Sequence, residues 1–308
     1  MRVLVVGGSG FVGRAAVRVL LAQGARVRVL DPNPGTLPPG AEPVAGSIED
    51  AALLQRLLSQ DGPDAIACFA AFGHGTAGLG RGAELDPERA IAVNVLGFRR
   101  LLEQSHQAGV TRVVFTSSSV VYGAATSDAR VSEDAPRAPL GLYALTKTMA
   151  EEVACYMRRR HGMQVVGLRI PLMLGPGLWY DGAASWVKRL VAAAAPGAAP
   201  ELPVAAGAFD AMHVADLGRL VATLLEGPPA PEPLYNVAGF TTDAAAMAHS
   251  LGELVPFYAP RLRPEPPAVI FPLMNEALLR RDTGFALAHD LRGVMQDMLA
   301  ERNEGLTR

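Results

Sequence analysis

Across residues 1–170 the chain alternates short apolar runs with longer helical stretches, and this alternation constrains its fold more than any other feature. Runs at Val3–Val6, Val27–Leu30, Ala65–Ala70, Val110–Phe115 and Val165–Arg169 read as strands. Helices are expected over roughly 11–23, 50–60, 87–108 and 141–161. Strands alternating with helices of this length form βαβ units, which predicts an α/β fold built on a doubly wound parallel sheet. Most of the runs are apolar almost throughout, as they must be when helices cover both faces of a sheet. Val27 and Val29, flanked by Arg26 and Arg28, are the exception. No internal repeat interrupts the pattern.

From Pro171 onward proline and glycine become denser, and expected helices at about 183–195, 214–226 and 286–302 are separated by irregular stretches. The reading is therefore a first domain over 1–170 and a smaller lobe over 171–308, laid on the sheet's C-terminal edge, with about 209–238 crossing back to the first domain. A chain of 308 residues with 50% hydrophobic and 19% charged side chains has ample core for both. Its formal charge of −2 lacks the basic face of a nucleic-acid binder. Two cysteines, Cys68 and Cys155, build no disulfide framework and fit a reducing cytoplasm. No apolar run reaches the ~18 residues of a membrane helix. The run at Met1–Val6, stopped by Gly7, is too short for a secretory signal. The expected partner is a small-molecule substrate, with neither nucleic acid nor membrane.

Gly7-Gly8-Ser9-Gly10-Phe11-Val12-Gly13 follows the first strand and opens the first helix. It satisfies G-x-G-x-x-G through Gly8, Gly10 and Gly13, and a second spacing through Gly7, Gly10 and Gly13. Glycines so placed permit a tight turn and let the backbone approach a pyrophosphate at the helix N-terminus. Asp31 closes the second strand 18 residues after Gly13, near the distance expected of an acid on a ribose 2′-hydroxyl. A carboxylate there accepts hydroxyl hydrogen bonds and repels a 2′-phosphate, so the cofactor expected is NAD rather than NADP. Only Arg14 and Arg28 lie near enough in sequence to oppose that preference.

Tyr143 and Lys147 stand four apart on an expected helix and share one face. A neighbouring ammonium favours phenolate, and lowering a phenol by ~3 units takes about 4 kcal/mol. The run Thr116-Ser117-Ser118-Ser119 ends the strand before them, and a Ser118 hydroxyl can hold a substrate oxygen as its charge changes. No metal site is expected. Residues 73–82 hold five glycines and read as a mobile lid, a backbone cradle for substrate oxygens or a solvent loop. Trp179, Tyr180 and Trp186 are either a pocket wall or core.

With these motifs in this order the sequence resembles the extended short-chain dehydrogenases/reductases of NAD-dependent epimerase/dehydratase type, over about residues 1–240. The resemblance also rests on Gly46-Ser47-Ile48-Glu49-Asp50, Phe69-Ala70-Ala71, Val93-Asn94-Val95, Leu168-Arg169-Ile170-Pro171, Asp210–Asp216 and Tyr235-Asn236-Val237. It implies a Rossmann-type sheet with a substrate-binding lobe, Ser118, Tyr143 and Lys147 as catalytic residues, and NAD as cofactor. It further implies that Gly7, Gly10, Phe11, Val12, Gly13, Asp31 and Thr116 contact the cofactor, as do Tyr143 and Lys147. Ser47 and Ile48 would flank the adenine, Phe69, Ala70 and Ala71 the pyrophosphate–nicotinamide side, Asn94 the strand end and Pro171 the nicotinamide. A homodimer through helices 87–108 and 141–161 is implied as well.

The activity implied is hydride transfer at a secondary alcohol or ketone of a sugar-like or hydroxy-acid substrate. The alternatives are a nucleotide-sugar 4-epimerase with tightly bound NAD and a non-catalytic dinucleotide sensor. Several departures bear on substrate. Leu172 and Phe209 stand where nucleotide-sugar members usually carry an Asn and an Arg, and Ser119-Val120 replaces the Asp-Glu pair of sugar dehydratases. Ser47 replaces a usual Asp, and Cys68 a usual His.

Overall fold

The structure, a computed structural model, describes residues 1–35, 37–59, 62–124 and 130–306. The first half runs β1 (Arg2–Val6), α1 (Phe11–Ala22), β2 (Arg26–Asp31), β3 (Glu42–Ala45), α2 (Ala51–Ser59), β4 (Ala65–Cys68), α3 (Gly78–Leu85), α4 (Pro87–Ile91), α5 (Phe98–Gln107), β5 (Arg112–Ser118), α6 (Leu142–His161) and β6 (Gln164–Ile170). The second half runs β7 (Leu172–Leu174), α7 (Ser185–Ala192), β8 (Glu201–Ala205), β9 (Phe209–His213), α8 (Val214–Glu226), β10 (Leu234–Asn236), β11 (Phe240–Thr242), α9 (Ala244–Leu254), β12 (Arg261–Glu265), α10 (Ala277–Thr283) and α11 (Leu291–Leu306).

Seven strands form one sheet in the order β10-β6-β5-β4-β1-β2-β3, and every neighbouring pair is parallel. This is the doubly wound, Rossmann-type arrangement, with its order reversing between β1 and β4. Period-two alternation divides the core. Val3 and Val5 face one layer with α1 and α8, whereas Leu4 and Val6 face the other with α2, α5 and α6. Each such side chain, fully buried, contributes about 1.5–3 kcal/mol. The second half returns to this sheet twice. Gly218 brings α8 onto α1, where a Cβ would stand 3.1 Å from Ala16 Cα, and β10 pairs with β6 through Tyr235 and Leu168. The remaining strands make a three-stranded sheet, β11-β9-β7, and a two-stranded one, β12-β8.

Three expectations change. The helix expected over 87–108 is broken into α4, a π-helical stretch at Ala92–Gly97, and α5. The strand expected from Val110 begins at Arg112 and continues through Ser118, so Thr116, Ser117 and Ser118 are themselves strand, while Ser119 opens a 3-10 turn. The glycine segment 73–82 is not open loop throughout, since α3 begins at Gly78. Gly82 packs so tightly that a Cβ there would stand 2.6 Å from His74 N.

Candidate active site

The expected site residues gather where strands β1 to β6 end, beside the point of order reversal, as ligand sites in such sheets do. Gly7 takes φ +79°, and a Cβ on it would stand 2.7 Å from Ala70 N, so β1 and β4 end in backbone contact. A Cβ on Gly13 would meet Gly7 O at 2.2 Å. Gly10 has only Gly7 O within 4 Å of such a Cβ, so its outer side stays open for a ligand. It caps α1 without a side-chain bond, leaving the first-turn amides around Phe11, Val12 and Gly13 for an anion.

Asp31 ends β2 facing that turn. Its Oδ2 accepts from Ser9 N at 3.1 Å and its Oδ1 from Asn33 N at 3.0 Å. The two nearby cations are otherwise placed, Arg28 on Glu42 at 3.0 Å and Arg14 on Ser9 O at 3.3 Å. Gly46 N donates to Asp31 O at 3.0 Å, which seats Ser47 and buried Ile48 alongside. Phe69, Ala70 and Ala71 follow β4, and Pro171 lies buried between β6 and β7. Asn94, 3% exposed, accepts from Phe72 N at 2.7 Å and donates to Thr146 Oγ1 at 3.0 Å. That inward turn sits within the π-helical stretch, and Gly97 there faces Ile48, 2.8 Å from where its Cβ would be. A π-bulge at such a place re-aims a side chain that a regular helix would direct elsewhere.

Ser118, Tyr143 and Lys147 converge. Ser118 lies close enough to the Tyr143 hydroxyl to favour its ionised form. The Lys147 ammonium lies 5.7 Å from the Tyr143 ring centre and donates to Thr116 O at 2.8 Å. Tyr143's ring is half-buried, but its hydroxyl end lies among protein atoms. The charge states run against the expectation from spacing. Burial, with Tyr180 nearby, pushes the Tyr143 phenol well above its ordinary value, and Ser118 only partly offsets this. Burial likewise pulls Lys147 down to about 8, against the pull of Cys68 and Glu151. In the protein alone desolvation is the largest influence on both groups, so Tyr143 holds its proton. Buried Cys68, its thiol pushed up to about 11 by burial, is unreactive packing.

Several supports are absent from the sequence reading. Glu151, one turn beyond Lys147, is fully buried and bonds Ser117 Oγ at 2.6 Å and Arg169 Nε at 2.9 Å. Glu84 of α3 accepts from Leu142 N at 2.7 Å, fixing the start of α6. Lys188 donates to the carbonyls of Trp179 and Tyr180, both at 3.1 Å, and Asp181 N donates to Thr76 O at 2.8 Å. The glycine segment is thus bound to the Tyr180 strip beside Tyr143. Only the i, i+4 spacing of Lys147 and Glu151 marked any of these in sequence. The aromatic trio divides: Trp186 is buried edge-on to Phe209 at 5.8 Å, while Trp179 is exposed.

His213, His289 and Asp297 form a cluster elsewhere, their ligand-type atoms within 4.8 Å of one another. His213 Nδ1 accepts from Ala215 N at 3.0 Å, so its ring proton sits on Nε2, 3.3 Å from Asp297 Oδ2. A protonated Nε2 suits a latch to α11, not a metal ligand. Among the described residues no helix is long and apolar enough to cross a membrane.

The sequence profile of the NAD dependent epimerase/dehydratase family matches residues 3–238. A UDP-glucose 4-epimerase of Lactobacillus helveticus is 33% identical over 173 residues, 55% of this chain and 51% of that protein. A 3 beta-hydroxysteroid dehydrogenase/Delta 5-->4-isomerase of Mycobacterium tuberculosis is 35% identical over 196 residues, 61% of this chain and 50% of that one. The chain thus spans about half the length of the curated relatives it matches. The crystal structure of a Thermus thermophilus UDP-glucose 4-epimerase in complex with NAD superposes with a TM-score of 0.81 at 26% identity, covering 98% of this chain and 99% of that one.

Proposed function

This chain belongs to the NAD dependent epimerase/dehydratase family, and on that premise we propose that it is an NAD-dependent oxidoreductase acting at a secondary alcohol or ketone of a small molecule. The observation that carries this reading is the convergence of Ser118, Tyr143 and Lys147 beside a glycine turn whose Gly10 stays open and uncapped. NAD fits that turn: Gly7, Gly10, Phe11, Val12 and Gly13 would hold its pyrophosphate and Asp31 a ribose. Ser47, Ile48, Phe69, Ala70, Ala71 and Pro171 would line its rings, while Asn94 and Thr116 fix the strand ends between. When bound, NAD supplies the two-electron redox partner for the alcohol–ketone couple.

The chain's own residues handle the proton. Tyr143, kept protonated by burial, gives the proton from its hydroxyl to the carbonyl oxygen in reduction and recovers it in oxidation. Ser118 donates a hydrogen bond to the same oxygen. Lys147, anchored on Thr116 O, has N–H groups left to hold a ribose and to stabilise phenolate when Tyr143 loses its proton. The same reading assigns 1–170 to the cofactor and 171–308 to the substrate, with 209–238 crossing back. It pairs two copies through the segments 87–108 and 141–161, which is supported by the exposed Leu96, Leu145, Met149 and Tyr156. A cytoplasmic site of action fits the two free cysteines.

Tyr143→Phe tests the assignment: turnover should vanish while NAD binding, followed by calorimetry, stays nearly intact. More than a tenth of normal activity would move the proton role to another group. Net formation of NADH by the unmodified protein separates a dehydrogenase from a 4-epimerase, which consumes none.

A further inference from the structure

A cleft of about 440 Å³ opens between β7, α7, β9 and the segment 265–271. It lies near the reacting groups, because Leu172 on its wall stands two residues after Ile170, the register partner of Ser118. Leu172, Trp186, Val204, Phe209, Ile270 and Phe271 give it an apolar lining. Trp186 and Phe209, each 7% exposed, meet edge to face at 5.8 Å, so that wall is preformed. Pro203, Pro266 and Pro267 line the cleft without a backbone N–H, and the Ser185 hydroxyl there already donates to Gly182 O at 2.6 Å.

Two ionisable side chains line it, Arg189 and Glu265. Glu265 is paired with Arg263 at 3.0 Å, whereas Arg189 has no ion-pair partner among the described residues. A polyol or sugar ring would lose water from its hydroxyls here and find few partners. A diphosphate would bring at least two charges to one cation and to aromatic faces that repel anions.

The geometry points to a substrate whose non-reacting part is an apolar ring or hydrocarbon body seated on Leu172, Trp186 and Phe209, with one carboxylate paired to Arg189. This rests on Ser118, Tyr143 and Lys147 being the redox site, and it narrows the substrate to a hydroxy or keto acid with an apolar body.

The chain has two tryptophans, so Trp179→Phe leaves Trp186 as the only indole and makes its emission a direct report on the cleft. In that background, cyclohexaneacetate should shift the emission saturably, and cyclohexaneethanol should do so more weakly. Arg189→Gln, a change at an exposed position that leaves the core alone, should weaken the carboxylate about tenfold and the neutral alcohol less than twofold. UDP should give no saturable change at millimolar concentration. Saturable UDP binding, or no saturable carboxylate binding, overturns the inference, as does an equal loss for both cyclohexane probes in Arg189→Gln. Because binding is read without turnover, loss of the redox assignment in the Tyr143→Phe experiment would leave these titrations unchanged, so the two failures are distinguishable.

Discussion

Removing the Glu151 carboxylate should unfasten the frame behind Tyr143 and Lys147. Glu151 lies on the same face of α6, fully buried, and accepts from Ser117 Oγ at 2.6 Å, from Arg169 at 2.9 and 2.8 Å, and from Arg137 at 3.1 Å. Arg169 is itself 2% exposed and, among the described residues, keeps the Tyr122 hydroxyl and Glu133 O as partners once Glu151 is gone. Breaking a buried pair by deleting one partner costs about 3–5 kcal/mol, because the other charge stays buried and uncompensated. Against a typical stability of about 5–15 kcal/mol this leaves a folded but weakened protein. In urea denaturation followed by circular dichroism, Glu151→Ala should lose about that amount. Glu151→Gln, which keeps an oxygen acceptor, should lose less. Adding Arg169→Met to Glu151→Ala should restore part of the loss by removing the stranded charge. The Lys147 ammonium, which Glu151 supports electrostatically, should titrate lower still in Glu151→Ala, and turnover should fall with it. A loss under about 1 kcal/mol, or a double variant less stable than the single one, would refute the reasoning.

Asp31, held by Ser9 N and Asn33 N, should make NAD bind at least about tenfold tighter than NADP, a gap of ~1.4 kcal/mol. Asp31→Ala should narrow that gap, and superimposable titrations of the two cofactors with the unmodified protein would remove the assignment. Lys147 titrates at about 8 in the folded chain against an ordinary 10.5. Below about 8 both states carry the charge and the folded state bears its desolvation. Between about 8 and 10.5 the folded state sheds the proton first, so its stability gains with rising pH. Relative to Lys147→Met, the unmodified protein should therefore gain up to about 3 kcal/mol across that window; a flat difference would show that the ammonium is not desolvated.

The features legible in sequence were those whose cause is local. Gly7, Gly10 and Gly13 are dictated by one turn and Asp31 by the end of one strand, and the parallel sheet follows from alternation alone. Features caused by distant contacts were not. Nothing between 87 and 108 announces a π-helical stretch, because its cause is Asn94 reaching Phe72 N and Thr146 across the fold. The spacing of Tyr143 and Lys147 gives their proximity but is silent on burial, and burial decides which way each titrates. Strands β7 to β12 are three to five residues long. Pro203 sits within β8 and Pro264 within β12, so neither the length nor the composition of these strands separates them from loop. The Ala-rich α9 carries too little apolar periodicity to stand out.

Because β10 pairs with β6 only after the chain has traversed β7 to α8, the sheet is incomplete for part of its synthesis. While residues 171–233 are being made, the outer edge of β6 presents its backbone donors and acceptors to whatever is near. Such an edge recruits strands from other chains. Arg169 lies within β6, and a charge on a strand that waits unpaired opposes wrong partners until Tyr235 and Asn236 arrive. Closing so long a loop delays the last pairing relative to the rest of the sheet.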